Sequence, residues 1–174
     1  RAFMYVDEPG LQFVFSSMSG YTDLKAKEDL DRFFAQIERP RGIHLCGNPE
    51  WEFLLNRDLD ILSMDTYTNG EILKAYGPQL KKFLERGGVL CWGIVPTWSD
   101  AVVEENVARL AAYLEEVWGV LGEAGIPREQ LLAQSLLSPA RCCLINPDRE
   151  KTVTLAYTWL REMSRRLREK YRLY

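Results

Sequence analysis

The chain has 174 residues, 47% apolar and 27% charged, enough for one domain with its own hydrophobic core. That balance excludes a disordered, collagen-like or disulfide-dense small protein. Twenty-two basic against twenty-five acidic residues leave a formal net charge of −3, so a phosphate-tracking surface and a nucleic-acid partner are not expected. No apolar run has the length that spans a bilayer and no signal peptide is recognised, so no membrane partner is expected either. Of the four cysteines, Cys142 and Cys143 are adjacent and Cys46 and Cys91 sit in apolar runs. That is not a secreted framework, and a reduced, cytoplasmic protein is expected. Arg1 opens the chain in place of Met and leads at once into a strand-like run, so the sequence is expected to be a piece of a longer protein.

Phe3 to Val6 reads as the first strand, ended by Asp7-Glu8-Pro9-Gly10. A helix is predicted from Leu24 to Ile37, capped by Thr22 or Asp23, with Leu30, Phe33, Phe34 and Ile37 on its apolar face and Pro40 beyond it. Gly42 to Cys46 is the second strand, Pro49 to Leu55 a short helix, and Asp60 to Met64 the third strand, closed by Asp65. The next helix runs from Glu71 to Glu85 and stops at Gly87-Gly88, a C-cap signal rather than a phosphate loop. Val89 to Val95 is the fourth strand, followed by Pro96. A long amphipathic helix is predicted from a cap at Ser99-Asp100, with Val103, Val107, Leu110, Leu114, Val117 and Leu121 facing the core. Leu131 to Leu137 reads as the fifth strand, although its periodicity also allows a helix. The last helix spans Glu150 to Arg172, and its final turns carry Arg165, Arg166, Arg168 and Lys170, as suits the negative end of a helix dipole.

A strand–helix unit thus repeats five times in one α/β domain over residues 1–174. Short, nearly all-apolar strands indicate a parallel sheet buried on both faces. Two architectures carry this pattern: an open doubly wound sheet, and part of a TIM (β/α)8 barrel. A complete barrel needs roughly 200 to 250 residues or more, so this chain would supply its last five units.

Polar residues interrupt the apolar runs at the strand ends: Asp7 and Glu8, then His44 and Cys46, then Asp65, then Cys142 and Cys143. In parallel α/β folds these ends share one rim, where active sites sit. Residues two apart in a strand point the same way, so His44 and Cys46 present imidazole and thiol to one point. That pair suits Zn²⁺, which takes N and S ligands in a tetrahedron, with Asp65 and Cys142 as further donors. Taken alone, H-x-C is also what a hydrogen-bonded buried histidine beside a small core thiol looks like. Trp51 and Trp98 follow strand ends and are expected to shape the mouth of the site, and Trp92 is expected in the core. The acidic pairs Glu104-Glu105 and Glu115-Glu116 and the basic last helix read as solvated faces.

Asp7-Glu8-Pro9, His44-x-Cys46, the run from Asp58 to Thr66 and the late Cys142-Cys143-Leu144 resemble the catalytic barrel of cobalamin-independent methionine synthase. Its superfamily also holds the uroporphyrinogen decarboxylase-like barrels and the corrinoid- or coenzyme M-linked methyltransferases. The resemblance covers nearly the whole chain but only the later part of the family's barrel. It implies that a partner chain or a missing N-terminal segment completes the barrel. It also implies a zinc site made by His44, Cys46, a carboxylate at Asp65 and a cysteine, Cys142 or, one residue on, Cys143. Asp65 stands where the family has Glu. The implied activity is zinc-dependent methyl transfer to a small thiol such as homocysteine, with Asp7 contacting the amino group of the acceptor and Glu8 beside it. The family's Asp-x-His is replaced by Cys91-Trp92-Gly93, and His44 is the only histidine. The methyl donor therefore stays open between a methyl-folate and a methyl-corrinoid. Two alternatives remain: a corrinoid- or coenzyme M-linked methyltransferase, and a non-catalytic barrel fragment acting as an interaction domain. A decarboxylase proper would use no metal and leave His44-x-Cys46 without a role.

Overall fold

Five short apolar runs pair side by side into one sheet. The computed structural model describes residues 4–14, 16, 20–142 and 146–173. The strands are β1 (Met4–Asp7), β2 (Arg41–Leu45), β3 (Ile61–Met64), β4 (Val89–Val95) and β5 (Ser135–Pro139). All are parallel and lie in the order β1-β2-β3-β4-β5, so each strand is next to its sequence neighbours. A doubly wound sheet needs a reversal of strand order, and none occurs among the described strands.

The helices are α1 (Asp23–Phe34), α2 (Trp51–Leu55), α3 (Thr66–Leu73), α4 (Gly77–Glu85), α5 (Ser99–Glu104), α6 (Val107–Glu123), α7 (Arg128–Ala133) and α8 (Glu150–Tyr171). Ile43, Leu45, Leu62, Met64, Leu90, Trp92 and Ile94 alternate with the other sheet face and are buried. Trp92 meets Trp118 of α6 edge to face with ring centres 6.3 Å apart, and Trp118 meets Tyr171 of α8 at 6.4 Å. Truncating a buried aromatic of this kind costs about 3–5 kcal/mol.

Local chemistry explains most boundaries. Thr22 Oγ1 accepts from Lys25 N (3.2 Å) and starts α1. Gly87 adopts φ +93° after α4, and Gly88 N donates back to Phe83 O (2.9 Å), the C-cap expected there. Three predicted elements are divided differently. The helix read over Glu71–Glu85 is two, α3 and α4, joined by a 3-10 turn over Lys74–Tyr76, because Pro78 opens a new first turn. The helix read from Ser99 restarts at α6, because Asn106 Oδ1 accepts from Ala108 N and Arg109 N and caps it afresh. Val103 therefore ends up on the short α5 and is 80% exposed, not in the core. The fifth strand is shifted: Leu131 belongs to α7, and β5 begins at Ser135. Phe33, expected in the core, is 44% exposed, while Phe34 beside it is buried. The first strand reaches Asp7, and a 3-10 turn over Pro9–Phe13 follows it. Among the described residues no helix is long and apolar enough to cross a membrane.

Candidate functional site

Strand register builds the site. Across β1, β2, β3 and β4, Asp7 is level with His44, His44 with Ser63, and Ser63 with Cys91. Alternation puts these side chains on one face, opposite the helix-packed one. His44 Nδ1 lies 2.8 Å from Ser63 Oγ, and Nε2 lies 3.6 Å from Cys46 Sγ. When Nδ1–H donates to Ser63, the lone pair of Nε2 points to the sulfur. Burial lowers the pKa of His44 from its ordinary 6.5, with Asp7 and Asp65 opposing. Burial raises the Cys46 thiol; the backbone N–H of Cys142 on its sulfur opposes this, while Cys142, Asp7 and Asp65 add to the rise. The resting pair is neutral imidazole beside neutral thiol, not the ion pair of a cysteine nucleophile. Deeper on the same face, burial and the neighbouring Cys91 thiol push the Tyr5 phenol well up.

Asp65 has a different position from the one expected. It has no exposed surface, and both oxygens are occupied. Oδ1 accepts from Thr68 N (2.9 Å) as the N-cap of α3, and Oδ2 accepts from Arg141 Nε (2.6 Å). Arg141 also donates from Nη2 to Thr68 Oγ1 (3.0 Å) and lies over the Trp98 ring at 4.9 Å. Thr97 Oγ1 reaches the backbone oxygens of Arg141 and Cys142, both at 3.3 Å. Asn146 Nδ2 in turn donates to Thr97 O (2.9 Å), and its Oδ1 accepts from Ser99 N (3.2 Å). These bonds fasten the segment carrying Cys142 against the rim beside Cys46. Asp65 thus acts on the rim through Arg141, and a guanidinium takes the place of the cation it was expected to bind.

The other expected residues divide. Asp7 is exposed at the rim. Glu8 accepts from Gly10 N (2.9 Å) and caps the turn after β1. Trp98 is partly buried beside Arg141 and Tyr67. Trp51 does not shape the mouth: it is wholly buried, and its Nε1 donates to Asn48 Oδ1 (2.7 Å). Cys142 is exposed and Cys91 buried, and Cys143 lies outside the described residues. Cys46 opens into a cavity of about 380 Å³ lined also by Pro9, Gln12, Gly47, Asn48, Asn69 and Arg141. A larger cavity, about 800 Å³, lies against β5 and α8 and has none of the rim residues in its wall. Sequence reasoning missed Ser63, Thr97, Arg141 and Asn146. Arg141 had one signal, its place next to Cys142; Ser63 had none, since its partner is set by register.

Among the described residues no three His, Cys, Asp or Glu side chains are arranged to hold a metal ion. Within that limit His44 and Cys46 fit zinc: a nitrogen and a sulfur side by side, with the far ring nitrogen tethered as a ligand histidine's is. Asp65 does not fit, because its oxygens are already used. No family model, curated protein or solved structure matches the chain.

Proposed function

We propose that the chain forms the last five strand–helix units of a (β/α)8 barrel and that its rim transfers a methyl group to a small thiol, with Zn²⁺ held by His44 and Cys46 and with Cys142 drawn in as a further ligand when the metal binds. The consecutive parallel strand order supports the barrel reading. The observation that carries the function is the His44–Cys46 pair, 3.6 Å apart at a strand end and tethered by Ser63. Zinc bound there supplies Lewis acidity that keeps a coordinated thiol deprotonated at neutral pH. The chain's own residues do the rest. Ser63 fixes the ring of His44. Asp65 and Thr97 hold the Arg141–Cys142 segment against Cys46. Asp7, at the same rim, accepts from an ammonium group of the acceptor and orients its sulfur. The methyl donor is a methyl-folate or a methyl-corrinoid; the loss of the family's histidine at Cys91-Trp92-Gly93 favours the corrinoid. A partner chain or a preceding segment supplies the remaining strands at the open edges, β1 and β5. The free thiols of Cys46, Cys91 and Cys142 suit a reducing, cytoplasmic setting.

The second reading is a non-catalytic barrel fragment that serves as an interaction domain. It is favoured by Asp65, whose two oxygens are spent on α3 and Arg141.

Metal analysis separates the two. After zinc loading and desalting, the wild type is expected to retain about one equivalent per chain, and His44→Ala and Cys46→Ser none. Methyl transfer to homocysteine from each donor should follow zinc content. Absence of zinc from the loaded wild type overturns the enzyme reading and leaves the fragment. In light scattering, a monomer that unfolds in one cooperative step would count against a barrel completed by other strands.

A further inference from the structure

The sheet has an open edge at β5, away from the rim site. Among the described residues β5 has β4 on one side and no strand on the other. An unpaired edge presents a row of backbone N–H and C=O groups, and proteins guard such rows with charges or proline. β5 carries no charge, and its one proline, Pro139, stands at its end. The whole of β5 lies in the wall of the cavity of about 800 Å³, and α8 forms the facing wall with Leu160, Ser164 and Leu167. Leu136 and Tyr157 of the same wall are exposed. Two polar atoms of the wall residues, Trp118 Nε1 and Ser138 Oγ, are buried without a hydrogen-bond partner. The only charged residues of the wall are Arg161 and Arg168, both exposed and neither paired among the described residues. Their neighbours on α8 differ: Arg165 and Arg166 are held by Glu162, and Arg165 also by Glu169. The cavity is thus an apolar groove with an open strand edge on one side and two free cations on the other.

We propose that this groove takes one extended segment of a partner, added to β5 as the next strand, apolar where it passes α8 and carrying two carboxylates for Arg161 and Arg168. That the segment is a barrel strand rests on the proposed function; its extended, acidic character does not. Backbone pairing gives such a segment its hold, and its side chains give selectivity. Its backbone also offers an acceptor to Trp118 Nε1 and a partner to Ser138 Oγ. Arg161 and Arg168 are seven residues apart. That is about 10 Å along a helix, a distance a strand covers in about three residues. A segment with lysines at those places would meet like charge.

The test uses three fluorescent peptides rich in valine and threonine, read by anisotropy against the whole chain. One has two glutamates three residues apart, one has lysines in their place, and one is the glutamate peptide with its backbone nitrogens methylated. The wild type is expected to bind the glutamate peptide about tenfold or more tighter than the lysine peptide, with the gap narrowing as salt is raised. The methylated peptide should lose nearly all binding, because it has no N–H for the carbonyls of β5. Arg161→Gln combined with Arg168→Gln should bring the glutamate and lysine peptides together with little change in the unfolding midpoint, since neither arginine has a partner to lose. No binding of the glutamate peptide by the wild type, a preference unchanged in the double variant, or full binding of the methylated peptide overturns the proposal. So does a dimer in light scattering that the double variant abolishes, which would seat a second copy in the groove. Failure of the barrel reading looks different: the chain unfolds as a cooperative monomer, while the preference for the glutamate peptide persists.

Discussion

At the N-terminal end of the sheet, Arg39 pairs with both Asp58 and Asp60, Arg41 with Asp58 (2.7 Å), and Arg57 with Asp31 (3.3 Å). Asp60 also accepts from the backbone N of Arg41 (2.7 Å). These charges meet opposite ones, while Arg86 beside them donates to Arg57 O (2.5 Å), and Asp58, shared by two arginines, is 61% exposed. At the C-terminal end the polar groups are held by partners drawn from different strands and segments: His44 by Ser63, Arg141 by the wholly buried Asp65, the Cys142 backbone by Thr97. Each of these tethers uses one side of the group and leaves another directed at Cys46 or its cavity. The contrast separates two uses of polar residues. Mutual neutralisation in water decorates a fold and is worth little. One-sided tethering leaves bonding capacity for a ligand, and that is the work of a site.

The largest expected difference between the ends is in stability. Asp65→Ala removes the cap of α3, worth about 1 kcal/mol, and a charge-assisted bond worth about 1.5 to 3 kcal/mol. Because Arg141 is 41% exposed, water takes up part of that loss. A destabilisation of about 2 to 4 kcal/mol is expected from urea unfolding midpoints. Asp58→Ala at the opposite end should cost about 1 kcal/mol or less, despite breaking two ion pairs. Similar losses from the two variants would erase the distinction between the ends.

Ser63→Ala sharpens the same contrast at the level of binding. Freed from its tether, His44 should hold zinc about 10- to 100-fold more weakly, measured by competition with a chelator. Its unfolding free energy should fall by only about 1 kcal/mol. A large loss of stability with unchanged zinc affinity would make Ser63 a packing residue and His44 a core histidine. Asp7→Asn, by contrast, should weaken an amino-acid thiol by about 1.5 to 3 kcal/mol and leave zinc content unchanged if, as proposed, Asp7 serves the acceptor and not the metal.

The smallest effect is expected on α8, where charges pair in water as they do at the N-terminal end. Arg165 and Arg166 hold the Glu162 carboxyl down to about 2, from an ordinary 4.5. The folded value lies below the unfolded one, so the pairing contributes in full above pH 4.5 and is lost as the pH falls toward 2. Glu162→Gln should therefore lower the thermal midpoint slightly at neutral pH, with the gap to wild type closing in acid. A gap that stayed constant across that range would assign the effect to helix propensity rather than charge.

The placing of His44 beside Cys46 was legible because it depends only on strand periodicity: they are two residues apart and must share a face. Thr22 and Gly87 were legible as helix signals for the same reason, since a cap satisfies groups within one turn of itself. Asp65 was placed at the right strand end but given the wrong task. Its cap on Thr68 is local, whereas its partner Arg141 lies 76 residues away and arrives only when the segment after β5 docks. Phe33 and Val103 were misjudged because helical spacing names a face, but neighbouring helices decide which part of that face meets water; Trp51, placed at the mouth because it follows a strand end, turns into the core instead.

From the sequence alone came the α/β class, the five strand–helix units and the pairing of His44 with Cys46, all consequences of spacing over a few residues. The tertiary structure decided that the strands run in unbroken parallel order, that Ser63 and not a neighbour in sequence holds His44, and that Arg141 occupies Asp65. Those outcomes depend on register between strands and on the docking of segments far apart in the chain, which the packing energy of the whole sheet sets and no local pattern records.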